Sequence, residues 1–183
     1  ENPQMDRDVL PVLNQLKQIK PTVISVAFDP EGSGPDTHYK VLQTIAEAIR
    51  MWKRSEDISD LRIWGYRNVW FVFTPSDATI YMPGSEADLQ LMHDTFMSCF
   101  TTQKDASFPS PFYDGPFSEW SRHLQVCQAN DLRVLLGEEY FKNHPDERVR
   151  ECHGFIYIKA MFAEHFLKEV EELKSKFEVI KSE

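Results

Sequence analysis

The sequence predicts an α/β protein with a mostly parallel sheet, an antiparallel part, and helices on both faces. Three observations carry that prediction. Residues 22–28, Thr-Val-Ile-Ser-Val-Ala-Phe, are a short β-branched apolar run of the kind expected of a strand buried on both faces. Apolar residues at helical spacing flank this run on both sides. The order helix–strand–loop–helix is how a parallel sheet with crossovers reads.

The first helix covers residues 7–19, where Val9, Leu10, Val12, Leu13, Leu16 and Ile19 recur at helical spacing and Pro11 suits the first turn. Lys20-Pro21 ends it. After the strand, Asp29-Pro-Glu-Gly-Ser-Gly-Pro-Asp36 is a loop by composition. A second helix starts at Thr37 and gathers Val41, Ile45, Ala48, Ile49 and Trp52 on one face. Strands are expected at 61–66, 69–74 and 78–82, and the short gaps between them imply antiparallel pairing. Ser85-Glu-Ala-Asp88 reads as a capping box, ahead of a helical face of Leu89, Met92, Phe96 and Phe100. Residues 101–117 are rich in proline and phenylalanine and read as a loop that packs down. A helix from about 118 to 136 stops at Gly137. A last amphipathic helix is expected at about 158–177, with Phe162, Phe166, Val170, Leu173 and Phe177 on one face. No linker or repeat interrupts the chain, so residues 1–183 read as a single domain or part of one.

Composition narrows the function. The chain has 183 residues, 42% hydrophobic and 27% charged, which suits a globular domain. Twenty basic residues against 29 acidic ones leave a net charge of −9, which speaks against nucleic acid and against anionic lipid as partners. No apolar run approaches the ~20 residues of a membrane span, and the N-terminus lacks the features of a secretory signal. Cys99, Cys127 and Cys152 are odd in number and contain no CxxC pair, which points to buried free thiols in a reducing, cytoplasmic setting. The chain begins at Glu1 rather than Met, as a cut-out or processed piece of something longer would.

The loop beyond the first strand is the richest in chemistry. Asp29, Glu31, Asp36 and His38 fall within ten residues at a strand's carboxyl end, where open α/β sheets bind ligands. Carboxylates and imidazole are the ligands of a catalytic zinc site. The competing reading is that Asp36 or Ser33 caps the helix while His38 packs in its first turn. His144-Pro-Asp146-Glu147 has the composition of a metal motif, but its setting reads as a helix exit and a loop. His93, His123 and His165 read as structural or surface residues on helices. Trp64, Tyr66, Trp70, Phe71 and Phe73 suit either sugar stacking or strand core, and strand alternation favours core. GxGxxG, GxxxxGK[ST] and GxSxG are all missing, which excludes the nucleotide and serine-hydrolase readings that depend on them.

Residues 19–49, Ile-Lys-Pro-Thr-Val-Ile-Ser-Val-Ala-Phe-Asp-Pro through Thr37-His38 to Ile49, followed by Leu61-Arg-Ile-Trp-Gly-Tyr-Arg-Asn-Val-Trp70, resemble the later part of PIG-L-like (LmbE-like) zinc-dependent N-acetylglucosaminyl deacetylases. The nearest form is the deacetylase-like domain attached to some bacterial glucosamine-6-phosphate deaminases. The resemblance runs over about residues 9–140 and is strongest at 19–70. It implies the C-terminal portion of a Rossmann-like three-layer fold and hydrolysis of the amide C–N bond of an N-acetyl amino sugar. It also implies that His38 is a zinc ligand, with the other ligands and the catalytic aspartate in a His-Pro-Asp-Asp motif upstream. No such motif precedes His38, and the part that carries it should span about three strand–helix units. Many family members also have a histidine three residues before the ligand, where this chain has Pro35.

The resemblance therefore predicts a segment without a catalytic residue, inactive alone, that takes part in zinc-dependent chemistry only within the complete domain. Asp29, Glu31, Asp36, Tyr66, Arg67 and Asn68 would face the sugar. Arg67 suits either a substrate phosphate or a surface ion pair. The alternative is a non-catalytic module for assembly or regulation of an attached sugar-phosphate enzyme. The expected partners are an amino-sugar small molecule and an N-terminal half or attached domain. An open sheet edge also leaves room for a homo-oligomer.

Overall fold

Residues 3–29, 36–67, 69 and 71–180 are described by the computed structural model, positions 36 and 177–180 by their backbone only. Strand β1 (Val23–Ala27) pairs in parallel with β2 (Arg62–Tyr66), from Val23 opposite Arg62 to Ala27 opposite Tyr66. Parallel pairing needs a long crossover, and α2 (Asp36–Ser55) lies in the connection. Strand β3 (Ile80–Gly84) runs antiparallel to β4 (Gly154–Phe162), with Ile80 opposite Ile158 and Gly84 opposite Gly154. The four strands form one mixed sheet in the order β1-β2-β4-β3. The protein is thus mixed α/β, with one parallel pair. Its chain divides into two compact units, the first built from the segments up to Phe71 and from Lys159 onward, the second from Val72–Ile158.

In the first unit, a π-helical turn (Met5–Val9) leads into α1 (Leu10–Ile19), with Pro11 in the opening turn as the sequence anticipated. Lys20 closes α1 in the left-handed region at φ 49°, its N–H donating to Leu16 O at 2.8 Å. Helix α2 turns Leu42, Ala46, Ala48, Ile49 and Trp52 into the core; of the face read from sequence, Ala48, Ile49 and Trp52 are buried, whereas Val41 is exposed and Ile45 half-buried. Helix α7 (Ala163–Ile180) adds Phe166 and Val170, both fully buried. The Phe166 ring lies 6.1 Å from that of Phe28. Gly65 eases the passage of β2 beside Phe28, where a Cβ would lie 3.0 Å from the Phe28 Cβ and press on it.

The second unit begins its helices with α3 (Glu86–Cys99), and its capping box forms as read: Ser85 Oγ accepts the Asp88 N–H and the Asp88 carboxylate accepts the Ser85 N–H at 2.9 Å. The hydroxyl and amide of Ser85 together hold the Asp88 carboxyl below its ordinary range. Helix α4 (Phe117–Leu136) ends at Gly137, whose φ of 82° is a left-handed value that glycine tolerates. Two short helices follow, α5 (Glu138–Lys142) and α6 (Glu147–Arg150). The Tyr157 hydroxyl donates to Gln128 O at 2.8 Å, and burial pushes its pKa well above the ordinary range.

Several expectations are corrected. Strand β1 is not buried on both faces: it is an edge strand, and Val23 and Ser25 are exposed. Residues 69 and 71–74 carry no strand, and a turn closed by Asp77 N–H to Thr74 O follows them. The aromatic cluster is accordingly only partly core, with Phe73 buried, Tyr66 and Phe71 exposed, and Trp70 outside the described residues. The last helix begins at Ala163, because residues 154–162 are the nine-residue strand β4, between two partners in the sheet. The loop at 101–117 packs down through Phe108, which lies 5.3 Å from both Phe117 and Trp120, while Phe112 stays exposed. All three thiols are free, but only Cys152 is buried; Cys99 is exposed and Cys127 half-buried. No helix among the described residues is long and apolar enough to cross a membrane.

Candidate functional site

The carboxyl ends of β1 and β2 lead directly into the residues singled out from sequence. Asp29 follows β1 by two positions and its carboxylate is buried, with 5% of its side chain exposed. His38 sits in the first turn of α2. The two meet across the loop, His38 Nδ1 lying 2.5 Å from Asp29 Oδ2. An ionised carboxylate can only accept, so Nδ1 carries a proton toward Asp29, and in the neutral ring the lone pair is then on Nε2. A buried carboxylate behind an imidazole is the arrangement that orients metal-ligating or proton-accepting histidines.

Beside this pair, an open cavity of about 330 Å³ is lined by Phe28, Asp29 and Arg67 from the strand ends and by His165, Lys168, Glu169 and Lys176 from α7, among others. Arg67 therefore shares a cavity with Asp29. Tyr66, the last residue of β2, is exposed. Glu31 and Asn68 lie outside the described residues, as does the side chain of Asp36.

Helix α7 supplies what the sequence reading missed. His165 Nε2 lies 3.0 Å from Glu169 Oε1, and Lys159 Nζ on β4 reaches both oxygens of Glu169 at 2.6 and 2.7 Å. Glu169 is thus held from two elements, and Lys168 is only loosely paired with Glu172 at 3.8 Å. The signal was present in sequence as the polar face His165, Lys168, Glu169, Glu172, Lys176, but a helix dense in Glu and Lys hides such a face.

The remaining candidates are structural. In His144-Pro-Asp146-Glu147, His144 Nδ1 accepts the Asp146 N–H at 3.1 Å, and the Asp146 carboxylate caps α6 by accepting the Arg148 N–H at 2.9 Å. The Arg148 side chain and amide hold the Asp146 carboxyl below its ordinary range. This is a helix exit followed by a helix start. His93 Nδ1 lies 3.0 Å from Ser118 Oγ, and His123 Nε2 lies 3.6 Å from Cys127 Sγ.

A catalytic zinc site needs three protein ligands. Among the described residues no three His, Cys, Asp or Glu side chains are grouped to hold a metal ion. His38 is one oriented imidazole, and the described residues do not complete a zinc site around it. No protein-family model, no curated protein and no solved structure matches the chain.

Proposed function

We propose that this chain is the C-terminal part of an amino-sugar N-deacetylase-like, Rossmann-like α/β domain, and that it contributes one oriented imidazole and the sugar-facing wall of the site. The observation that carries the reading is the Asp29–His38 pair at the carboxyl end of β1. Arg67 in the adjoining cavity supports it, as does the character of β1. That strand, Val-Ile-Ser-Val-Ala at the sheet edge, is apolar except for Ser25 and carries no Lys, Pro or charge within it. Further parallel strands beside β1 would turn it into the interior strand its composition describes. The partner half would bring the missing ligands and the general base, and Asp29 would hold the His38 ring in register for them.

The test uses the complete product of the gene that encodes this chain. Zinc content and acetate release from N-acetylglucosamine and its phosphates are measured for the native protein and for His38→Ala. The reading expects about one zinc per chain, with acetate release and metal both lost in the variant. A product that holds no zinc, or that releases acetate equally well without His38, overturns it. The non-catalytic assembly role remains the second reading, and the observation that favours it is an apolar groove in the second unit.

A further inference from the structure

We propose that the cavity at the ends of β1 and β2 receives a phosphomonoester carried by the small-molecule substrate, held by Arg67 after β2 and by Lys168 and Lys176 of α7. The inference rests on the deacetylase-like reading above and adds to it the chemical group that selects the substrate. Arg67, Lys168 and Lys176 line this one cavity of about 330 Å³, together with the carboxylates of Asp29, Glu169 and Glu172.

Two of those carboxylates are already engaged. Asp29 Oδ2 lies 2.5 Å from His38 Nδ1. Glu169 accepts Lys159 Nζ at both oxygens, at 2.6 and 2.7 Å, and His165 Nε2 at 3.0 Å. The third, Glu172, is 3.8 Å from Lys168, beyond hydrogen-bonding distance. With Lys159 behind Glu169, four permanent cations thus stand against three carboxylates. The local balance is positive before His38 or His165 takes a proton, although the whole chain carries −9. Such a concave positive spot in an acidic protein concentrates an anionic small molecule there.

The three cations differ in a way that suits one tetrahedral anion. Arg67 follows β2 directly and is half-buried, with its Nε closed off from solvent. A guanidinium is a planar fork that matches two phosphate oxygens, and partial burial strengthens such a bond. Lys168 and Lys176 are exposed, two turns apart on α7, about 12 Å along its axis. Their flexible stems bring point charges to the group that the fork has placed. A phosphomonoester offers three acceptor oxygens and close to two negative charges, which a carboxylate does not. The cavity also limits what carries the phosphate. Its volume of about 330 Å³ is near the lower bound for small-molecule clefts. Phe28 and Leu173 are the apolar side chains among its described lining, so a single sugar phosphate suits it and a lipid tail does not.

Isothermal titration calorimetry on the complete product of the gene tests the proposal, with N-acetylglucosamine, its 1- and 6-phosphates and inorganic phosphate as probes. A sugar phosphate is expected to bind at least about tenfold more tightly than the unphosphorylated sugar, and more tightly than inorganic phosphate. The double variant Lys168→Glu, Lys176→Glu should lose most of that preference with an unchanged circular dichroism spectrum, because both side chains are exposed. Arg67→Lys, which keeps the charge and loses the fork, should reduce the preference roughly threefold or more. Equal affinity for phosphorylated and unphosphorylated sugar overturns the proposal. So does a preference that both variants leave intact, which would place the phosphate elsewhere in the gene product. Inorganic phosphate binding as tightly as the esters overturns it too, because the cavity would then read a free anion.

Zinc content and acetate release on the same samples separate this inference from the reading beneath it. A phosphate preference that the variants abolish, in a protein that holds no zinc, supports the anion site and overturns the deacetylase reading. Acetate released with equal kcat/KM from the sugar and its phosphates leaves that reading standing and overturns the anion site.

Discussion

The two units differ in the recess each presents, charged at the strand ends of the first and apolar in the second. In the first, Leu42, Ile49, Phe166 and Val170 are all essentially inaccessible, although Ile19, Val41 and Phe162 are exposed. Its recess, at the ends of β1 and β2, is lined mainly by charged groups. In the second unit the recess is apolar and its rim exposes Val134, Leu135, Leu136 and Tyr140. The difference teaches where specificity resides in each. A charged recess at the ends of parallel strands suits a polar small molecule, whereas an apolar recess beside an exposed helix end suits a macromolecular surface.

That comparison is broken most forcefully at Phe166. It is fully buried and lies against Phe28, so Phe166→Ala should cost about 3–5 kcal/mol, read by urea denaturation. A cost under about 1 kcal/mol would mean that the first unit is no better closed than the second. Gly65→Ala is a smaller break in the same unit. The added methyl would press on Phe28, and about 1–3 kcal/mol of destabilisation is expected from overpacking. Because Phe28 adjoins Asp29, the same variant should also disturb the His38 imidazole, visible as a shift of its ring proton resonances.

The smallest effect sharpens the contrast from the second unit. Ser85→Ala removes the α3 cap and should lower Tm by a few degrees at neutral pH. The Asp88 carboxyl is held below its ordinary value of 3.8, so its contribution is complete above that value and is lost as pH falls through the lowered one. The difference in Tm between wild type and Ser85→Ala should therefore shrink in acid. A gap that stays constant to the lowest pH would show that the Asp88 arm of the box contributes nothing.

What was legible in the sequence was local. The box at Ser85 and Asp88 closes within four residues, and the stop at Gly137 depends on one residue's freedom at positive φ, so both can be read from a short window. The Asp29–His38 pair spans nine residues around one loop and was within reach for the same reason. Strand β4 was not. Its residues fit the upstream extension of the last helix's apolar face, and only its partners in the sheet, β3 and β2, decide for strand. The contributions of His165, Lys168 and Glu169 to the cavity were hidden too, because they converge with Asp29 across more than a hundred residues of chain.

Cys152 gives this protein a clock. It lies two residues ahead of β4, it is buried, and burial pushes its thiol above the usual range. Its carbonyl accepts the Arg133 guanidinium from α4 at 2.8 Å. A thiol reagent meets Cys99 at once and Cys152 only when the second unit opens. The slow phase of labelling therefore times local opening of the fold, with no probe added to the chain.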